Sequence, residues 1–206
     1  MKSYLLAVGL VLLLCPATAQ SQVNDFSTKT NNQNSIDKDW LQKAERFVTD
    51  LEYEFKKADQ SSFKFYTANR KQKIGFTFSN SGYTVSPIKF TDNIVSNEWK
   101  TNFQFVKLSR GNAALRLGDQ YTSTLNKANL RFQFPGIDIE YINNADGLRQ
   151  NFIVSKKLTG NDDLELLLKV SGDLVASVNN NEVILKDKNG VNQLFYRDLN
   201  VWDADH

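Results

Sequence analysis

The chain is poor in the residues that most catalytic chemistry needs. Among its 206 residues are one cysteine, one histidine, one methionine and three prolines. The histidine, His206, is the last residue, so no Ser-His-Asp triad and no histidine-based zinc site can be assembled within a folded core. The cysteine, Cys15, follows Leu14 rather than the small residue that a lipoprotein signal requires. These absences argue against lipidation and against hydrolysis by serine, cysteine or zinc.

The chain also lacks an excess of charge of either sign. It has 25 basic and 23 acidic side chains, for a formal net charge of +2. Nucleic-acid binding needs a strong basic surface, so we expect no nucleic-acid partner. The basic cluster at residues 70–73 is interpreted as the solvated entry to a strand.

The N-terminus has the three parts of a secretory signal peptide. Lys2 supplies a positive start, an apolar run covers Tyr4 to Leu14, and Ala17-Thr18-Ala19 is a small-x-small cleavage site. The run is too short to span a bilayer of about 30 Å, which disfavours a retained membrane helix. We therefore predict a signal peptide over residues 1–19 and a secreted or cell-surface protein. Cleavage after Ala19 would remove Cys15 and leave no thiol, disulfide or thiolate metal site.

A polar leader and one helix are predicted next. Residues 20–36 contain too few large apolar side chains to build a core, which is typical of a flexible leader. From Trp40 to Phe55, apolar residues recur at spacings of three and four, with Asp37 as a cap and Lys56-Lys57 at the end. The polar face carries both signs of charge, so packing on a sheet is favoured over lying on a membrane.

The rest of the chain has the alternating pattern of strands. Apolar and polar residues alternate in segments of four to eight, and turn sequences such as Asn189-Gly190 separate them. Ten to twelve antiparallel strands predict a mainly β fold, an antiparallel β-sandwich or two sheets in tandem, over residues 37–206 together with the helix. A sub-boundary near Pro135-Gly136 is left open, because phenylalanine-rich strands there give way to strands richer in leucine and valine.

The C-terminal residues predict a strand with nothing after it. Leu194 to Trp202 has the strand pattern, and residues 203–206 have the composition of a turn. We expect this to be the N-terminal part of a longer polypeptide, the alternative being an edge strand with a frayed tail.

Two short segments carry a resemblance to a known kind of module. The segment FPGIDIEY at residues 134–141, followed by GLRQNFIV at 147–154, resembles a signature of N-terminal modules of large secreted bacterial proteins. Those modules precede SBBP-type β-propeller or immunoglobulin-like repeats, often in substrates of type IX secretion. Residues 68–76 and 201–205 are similar to an earlier strand and to the closing strand of such modules.

The resemblance implies a non-catalytic module that presents downstream domains of an adhesin-like protein. The modules have no catalytic residues to transfer to this chain. This sequence departs from their layout because no repeats and no C-terminal sorting domain follow within it. The motif also has a structural interpretation, in which Pro135-Gly136 forms a corner, Ile137 and Ile139 face the core, and Asp138 and Glu140 face outward.

Two kinds of chemical site remain as hypotheses, a pair of catalytic carboxylates and a calcium site. Paired carboxylates suitable for a glycosidase are Glu52/Glu54, Asp138/Glu140 and Asp162/Asp163, although each pair reads more simply as solvent-facing charge. Calcium is the favoured inorganic partner, with weak candidate ligands at Asp198, Asp203 and Asp205. No other cofactor is expected.

Carbohydrate binding is the main alternative function. An exported β-sandwich with exposed aromatic side chains can stack sugars, and Tyr83 and Trp202 are the candidate platforms. A row of exposed aromatics on one sheet face would favour this function, whereas a bare polar face would favour the structural module. A lipid carrier wrapped round the helix is a third hypothesis and requires an apolar cavity.

Overall fold

The structure is a computed structural model that describes residues 6–13, 39–40, 43, 51–58, 63–89, 94–95 and 98–202. The described residues form sixteen β-strands, all paired antiparallel. Their bounds in the first half are β1 (Leu6–Leu13), β2 (Lys56–Lys57), β3 (Phe65–Asn69), β4 (Ile74–Phe78), β5 (Gly82–Lys89), β6 (Ile94–Val95), β7 (Thr101–Arg110) and β8 (Ala113–Leu115). In the second half they are β9 (Thr122–Asn126), β10 (Asn129–Phe134), β11 (Ile137–Asn144), β12 (Gly147–Val154), β13 (Leu164–Gly172), β14 (Val175–Asn179), β15 (Glu182–Lys186) and β16 (Asn192–Trp202).

The strands build two sheets that share one core. Sheet A has the order β14-β15-β16-β1-β12-β11-β10-β9. Sheet B has the order β13-β7-β5-β4-β3-β2, with β6 paired to β5 and β8 to β7. Buried side chains from both sheets belong to a single hydrophobic cluster. The mainly β, antiparallel, two-sheet arrangement predicted from the alternating pattern is therefore confirmed.

Aromatic rings fill the space between the sheets. The Phe78 ring of sheet B lies 4.9 Å from the Tyr141 ring of sheet A. Phe65 and Phe132 make an edge-to-face contact across the same interface, with 5.7 Å between ring centroids. Offset and edge-to-face geometries of this kind stabilise aromatic pairs beyond the effect of buried area. The core thus holds the two sheets together, and a chain with one cysteine has no internal disulfide to assist it.

A buried amide pair adds polar contacts at one end of this core. The Asn69 and Asn143 side chains are fully or almost fully buried, and Asn69 Nδ2 donates to Asn143 Oδ1 at 3.0 Å. Asn143 Nδ2 in turn lies within hydrogen-bond distance of Tyr53 O, Thr67 Oγ1 and Ala68 O. These bonds join β11 of sheet A to β3 of sheet B and to the segment that precedes β2. Buried polar groups are tolerated because they are satisfied in this way.

The predicted helix over residues 40–55 lies mostly outside the described residues, and its described part corrects the prediction. Residues 39–40, 43 and 51–52 are helical, but the chain leaves the helix at Tyr53, and Lys56-Lys57 form strand β2. Phe55 N donates to Lys127 O at 3.0 Å, which draws Phe55 into the core instead of along a helix face. Trp40, expected on the buried face, is 61% exposed. The N-terminal helix is therefore not supported as predicted.

The segment predicted as a signal peptide contributes a strand. Residues 6–13 form β1, which pairs with β12 on one side and β16 on the other. The predicted leader at 20–36 and the cleavage site at 17–19 lie outside the described residues.

The place left open as a sub-boundary is a tight turn inside sheet A. Pro135 and Gly136 form the two-residue connection between β10 and β11, and Phe134 pairs with Ile137. Gly136 has φ 93°, a value that glycine adopts without strain. Ile137 and Ile139 are fully buried, as the motif predicted, while Asp138 and Glu140 face away from the core.

We predict that the buried amide of Asn143 is a main determinant of stability. Replacing it in Asn143→Leu removes its hydrogen bonds and leaves buried partners unsatisfied, so the free energy of unfolding should fall by about 2–4 kcal/mol. Chemical denaturation measures the change. The matched control, Asn179→Ala on the exposed strand β14, should change stability by less than about 0.5 kcal/mol. Equal stability of the two variants would contradict this role.

Candidate functional site

The outer face of sheet B carries a groove of about 1030 Å³. Strands β3, β4 and β5 form its floor, because alternate residues of each strand point away from the core. The pairing register places Tyr66 opposite Thr77, and Thr77 opposite Thr84. The side chains along this row therefore change from aromatic to hydroxyl across the sheet.

One aromatic ring and several hydroxyl groups dominate the floor. Tyr66 is 41% exposed and is the most accessible ring that lines the groove. Thr84 Oγ1 donates to Asn102 Oδ1 at 2.9 Å, which fixes the hydroxyl at the edge of the row. Gly75 keeps the floor low, since a Cβ there would lie 2.9 Å from Ile88 Cδ1. A floor that combines an accessible ring with hydroxyl groups can bind a neutral, hydroxyl-rich ligand by stacking and hydrogen bonding.

Charged residues of both signs surround this floor. The acidic residues that line the groove are Glu52 and Glu54, and the basic ones are Lys56, Arg70 and Lys100. The mixture gives the groove no strong field of one sign, so electrostatics do not select an anion or a cation. Among the predicted carboxylate pairs, Glu52/Glu54 lies at this groove.

The other two carboxylate pairs have structural surroundings. Arg131 Nε donates to Asp138 Oδ2 at 2.9 Å. Glu140 accepts from the side-chain amides of Asn129 at 3.0 Å and Asn151 at 2.8 Å. These contacts join neighbouring strands on the outer face of sheet A, as cross-strand polar pairs commonly do. Asp162 and Asp163 lie exposed in the loop between β12 and β13.

Tyr83, predicted as an exposed sugar platform, is a core residue. Its side chain is 2% exposed, and its ring stacks on Phe103 with 4.9 Å between centroids. The error came from taking Gly82 as part of a turn, whereas Gly82 begins β5. A Cβ at Gly82 would lie 2.0 Å from Phe103 O, so glycine is needed there for β5 to approach β7. Tyr66, the accessible ring in the groove, was not identified from the sequence, although its position beside Phe65 in an alternating segment was the available signal.

Trp202 and the calcium candidates lie at the end of sheet A. Trp202 is 37% exposed at the end of β16. Asp198 has φ 61° at an irregularity in the pairing of β16 with β1, where its carbonyl accepts from Asn200 Nδ2 at 3.0 Å. Aspartate tolerates this left-handed conformation, which gives Asp198 a backbone role. Asp203 and Asp205 lie outside the described residues, and the described residues contain no group of three or more potential metal ligands.

Two buried tyrosines, Tyr83 and Tyr141, and the partly buried Tyr196 lie between the two sheets. The Tyr196 hydroxyl donates to Gln150 Oε1 at 3.1 Å, and Gln150 Nε2 donates to the Tyr141 hydroxyl at 3.3 Å. Burial raises the pKa of Tyr83 and Tyr196 well above the ordinary value, and neighbouring tyrosines add to the effect. Burial also raises the pKa of Tyr141, against the hydrogen bond from Gln150. The cluster is a neutral part of the core at ordinary pH.

No protein-family model, curated protein or solved structure matches this chain. In the part of the chain that the structure describes, no helix is both long and apolar enough to cross a membrane.

We predict that Tyr83, Tyr141 and Tyr196 ionise only when the protein unfolds in alkali. Their folded pKa values lie above the unfolded value of about 10, so their stabilising effect is fully present below that pH and is lost as the pH rises further. Tyrosinate absorbance and circular dichroism, recorded together, should show these three phenolates forming as sheet structure disappears. In denaturant all tyrosines should titrate together. Complete ionisation with the native dichroism retained would contradict the prediction.

Proposed function

We propose that this chain is a non-catalytic structural module of an exported bacterial surface or extracellular protein, of the adhesin-like kind. In this proposal, residues 1–19 are a signal peptide, and the module is the N-terminal part of a longer protein that it helps to present at the cell surface. Type IX secretion is the export route that the sequence resemblance suggests. The downstream domains of the same polypeptide are the expected partners.

The observation that carries the proposal is the exposed apolar end of β16. Leu199 is 57% exposed, Val201 59% and Trp202 37%. The neighbours Val201 and Trp202 point to opposite faces of β16, so exposed apolar side chains surround the end of this strand. Single exposed apolar residues are common on protein surfaces, but three around one strand end form a patch of the kind that contacts another domain or protein, which we call the β16 patch. The patch lies on the last described strand, where a neighbouring domain of the same polypeptide would pack.

The surroundings of the acidic residues are consistent with a non-catalytic role. Asp138 and Glu140 are engaged by neighbouring side chains, and Asp198 supports an irregular strand. A general acid or base needs a carboxyl group free to reach a substrate. Of the three predicted carboxylate pairs, Glu52/Glu54 lines the groove of sheet B, so this pair is the first to test for catalysis.

We predict that the β16 patch packs against the next domain of the same polypeptide. The variant Leu199→Ser/Val201→Ser/Trp202→Ser should keep the melting temperature within a few degrees, since these side chains are exposed, but should make the junction after residue 202 more sensitive to protease in the full-length protein. The control is Val175→Ser/Val178→Ser, which removes more exposed apolar side chains from β14 and should leave that sensitivity unchanged. Limited proteolysis of the full-length protein, followed by intact mass of the fragments, measures the difference.

Two results would count against different parts of the proposal. A protein that stays in the cytoplasm with residues 1–19 attached would overturn export. A triple variant whose junction after residue 202 is cleaved no faster than in wild type would overturn the role of the β16 patch.

Carbohydrate binding is the second candidate function, and the groove of sheet B favours it. Tyr66 offers an accessible ring, and Thr77 and Thr84 lie in the same row as hydroxyl partners. Sugars bind to such surfaces by stacking on a ring while hydroxyl and amide groups bind their edges. The groove has fewer exposed rings than the row of two or three expected of a sugar-binding face, which is why this function ranks second.

We predict that any glycan bound in the groove depends on the Tyr66 ring. Tyr66→Ala should weaken binding about 3- to 10-fold, because the ring contact is worth roughly 0.5–1.5 kcal/mol. Tyr66→Phe retains the ring and serves as the matched control, with binding close to that of wild type. Glycan-array screening followed by calorimetry on the best glycan provides the measurement. Equal losses in the two variants would place the glycan elsewhere, and an array without binders would remove this candidate function.

A further inference from the structure

The signal segment occupies the centre of sheet A, between strands that come from the far part of the chain. β1 pairs with β12 from Leu6↔Val154 to Leu12↔Leu148. It pairs with β16 from Ala7↔Trp202 to Leu13↔Phe195. Both ladders are antiparallel, so β12 and β16 run parallel to each other on either side of β1.

Cleavage after Ala19, which is part of the proposed function, would remove the whole of β1. The strands β12 and β16 would then each present an unpaired row of backbone N–H and C=O groups. Adjacent strands lie about 4.8 Å apart, so the two edges would be separated by roughly 10 Å, the width of one missing strand. Unpaired edges of this kind accept an extended segment from elsewhere. We call the place between β12 and β16 the β1 slot.

Contacts beneath the β1 slot tie its two sides to the same strand of sheet B. On the β16 side, the Tyr196 ring stacks on Phe103 with 5.5 Å between centroids. On the β12 side, the Phe152 ring packs on Phe105 at 5.9 Å. Phe103 and Phe105 both belong to β7, so one strand of sheet B contacts both sides. The bond from the Tyr196 hydroxyl to Gln150 Oε1 also runs directly from β16 to β12. The two sides of the slot therefore share contacts that do not run through β1.

The core side of the slot requires apolar residues at alternate positions. Leu6, Val8 and Leu12 are paired with Val154, Phe152 and Leu148, which are buried residues of the core face. Residues directly opposite each other in neighbouring strands lie on the same face of a sheet. An occupant with polar residues at these positions would leave the core open to water.

The outer side of the slot favours an acidic residue. Val11 is paired with Arg149 of β12 and with Arg197 of β16. The Nε atoms of both arginines are buried and make no hydrogen bond in the part of the chain that the structure describes. Arg197 has a carboxylate neighbour in Asp198, with 3.7 Å between Nε and Oδ2. A glutamate at the Val11 position would lie between two guanidinium groups, which are good partners for a carboxylate.

The polar leader at residues 20–36 does not match these requirements. In residues 20–36 the larger apolar side chains before Ile36 are Val23 and Phe26, which are three apart and would point to opposite faces of a strand. We propose that the mature module accepts, in the β1 slot, a β-strand donated by another polypeptide. The donor has at least seven extended residues, apolar residues at alternate positions and an acidic residue opposite Arg149 and Arg197.

The test uses the mature protein exported by bacteria and a synthetic peptide. Intact mass first establishes whether the product begins at Gln20. The peptide covers residues 5–14 with Val11→Glu and flanking lysines for solubility. At a concentration of about 100 times its Kd, it should raise the melting temperature by roughly 5–10 °C. A control peptide that also carries serine at positions 6, 8, 10 and 12 should have no effect. If the mature protein alone is unfolded, the first peptide should restore its β-sheet dichroism during refolding.

A variant of the module tests the charge requirement. Wild-type module should bind the Val11→Glu peptide about 10-fold more tightly than the unsubstituted peptide, and high salt should reduce the difference. In Arg149→Gln/Arg197→Gln the two peptides should bind equally, while both still bind. Equal binding of the two peptides by wild type would overturn the acidic requirement.

Two outcomes overturn the proposal in distinguishable ways. A product that keeps residues 1–19 retains its own β1, so both the proposed signal cleavage and the vacant slot fail. A cleaved product that neither binds nor refolds with the peptide leaves export intact and overturns the slot alone. In that case hydrogen exchange should find the β12 amides protected without peptide, since β12 would then be paired directly with β16.

Discussion

The packing of aromatic rings between the sheets is the interaction on which the rest of the structure depends. Rings from β3, β4, β5 and β7 of sheet B meet rings from β10, β11, β12 and β16 of sheet A. Every strand that contributes a ring must keep its pairing register within its sheet, because a slip of one residue would turn the ring away from the core. The same register determines which residues point outward. The polar pairs of sheet A and the floor of the groove in sheet B are formed by the residues that alternate with the rings and point away from the core.

Sequence periodicity predicted the parts of the fold in which one face is apolar and the other polar. It identified the strands around Ile74, Phe103, Phe132 and Ile139, and it assigned Ile137 and Ile139 to the core. Periodicity failed to identify strands that have no buried face, and it predicted a helix that does not reach Phe55. Strand β14 is exposed along its whole length, and β9 contains mostly threonine, serine and asparagine, so neither has a buried face to mark it. The apolar spacing up to Phe55 indicated a helix, yet Phe55 is held in the core by contacts with distant residues.

The candidate site was harder to predict than the fold. A groove depends on which outward residues are large, small or glycine on three neighbouring strands, and the pairing of those strands is not visible in the sequence. Tyr66 and Gly75 can be recognised as groove residues only when β3, β4 and β5 are placed side by side. Tyr83 was misassigned because glycine marks both turns and close strand approaches, and Gly82 serves the second purpose. Local sequence could not separate the two.

The position of β1 also bears on when the protein folds. The ladder that pairs Ala7 with Trp202 joins the first and the last described strands. Sheet A therefore cannot close while the ribosome is still making the chain, and contacts between such distant segments form slowly. Local hairpins such as β10-β11 need no distant partner, so they can form before sheet A closes around β1. The last step in building sheet A is therefore the one that brings β1 between β12 and β16.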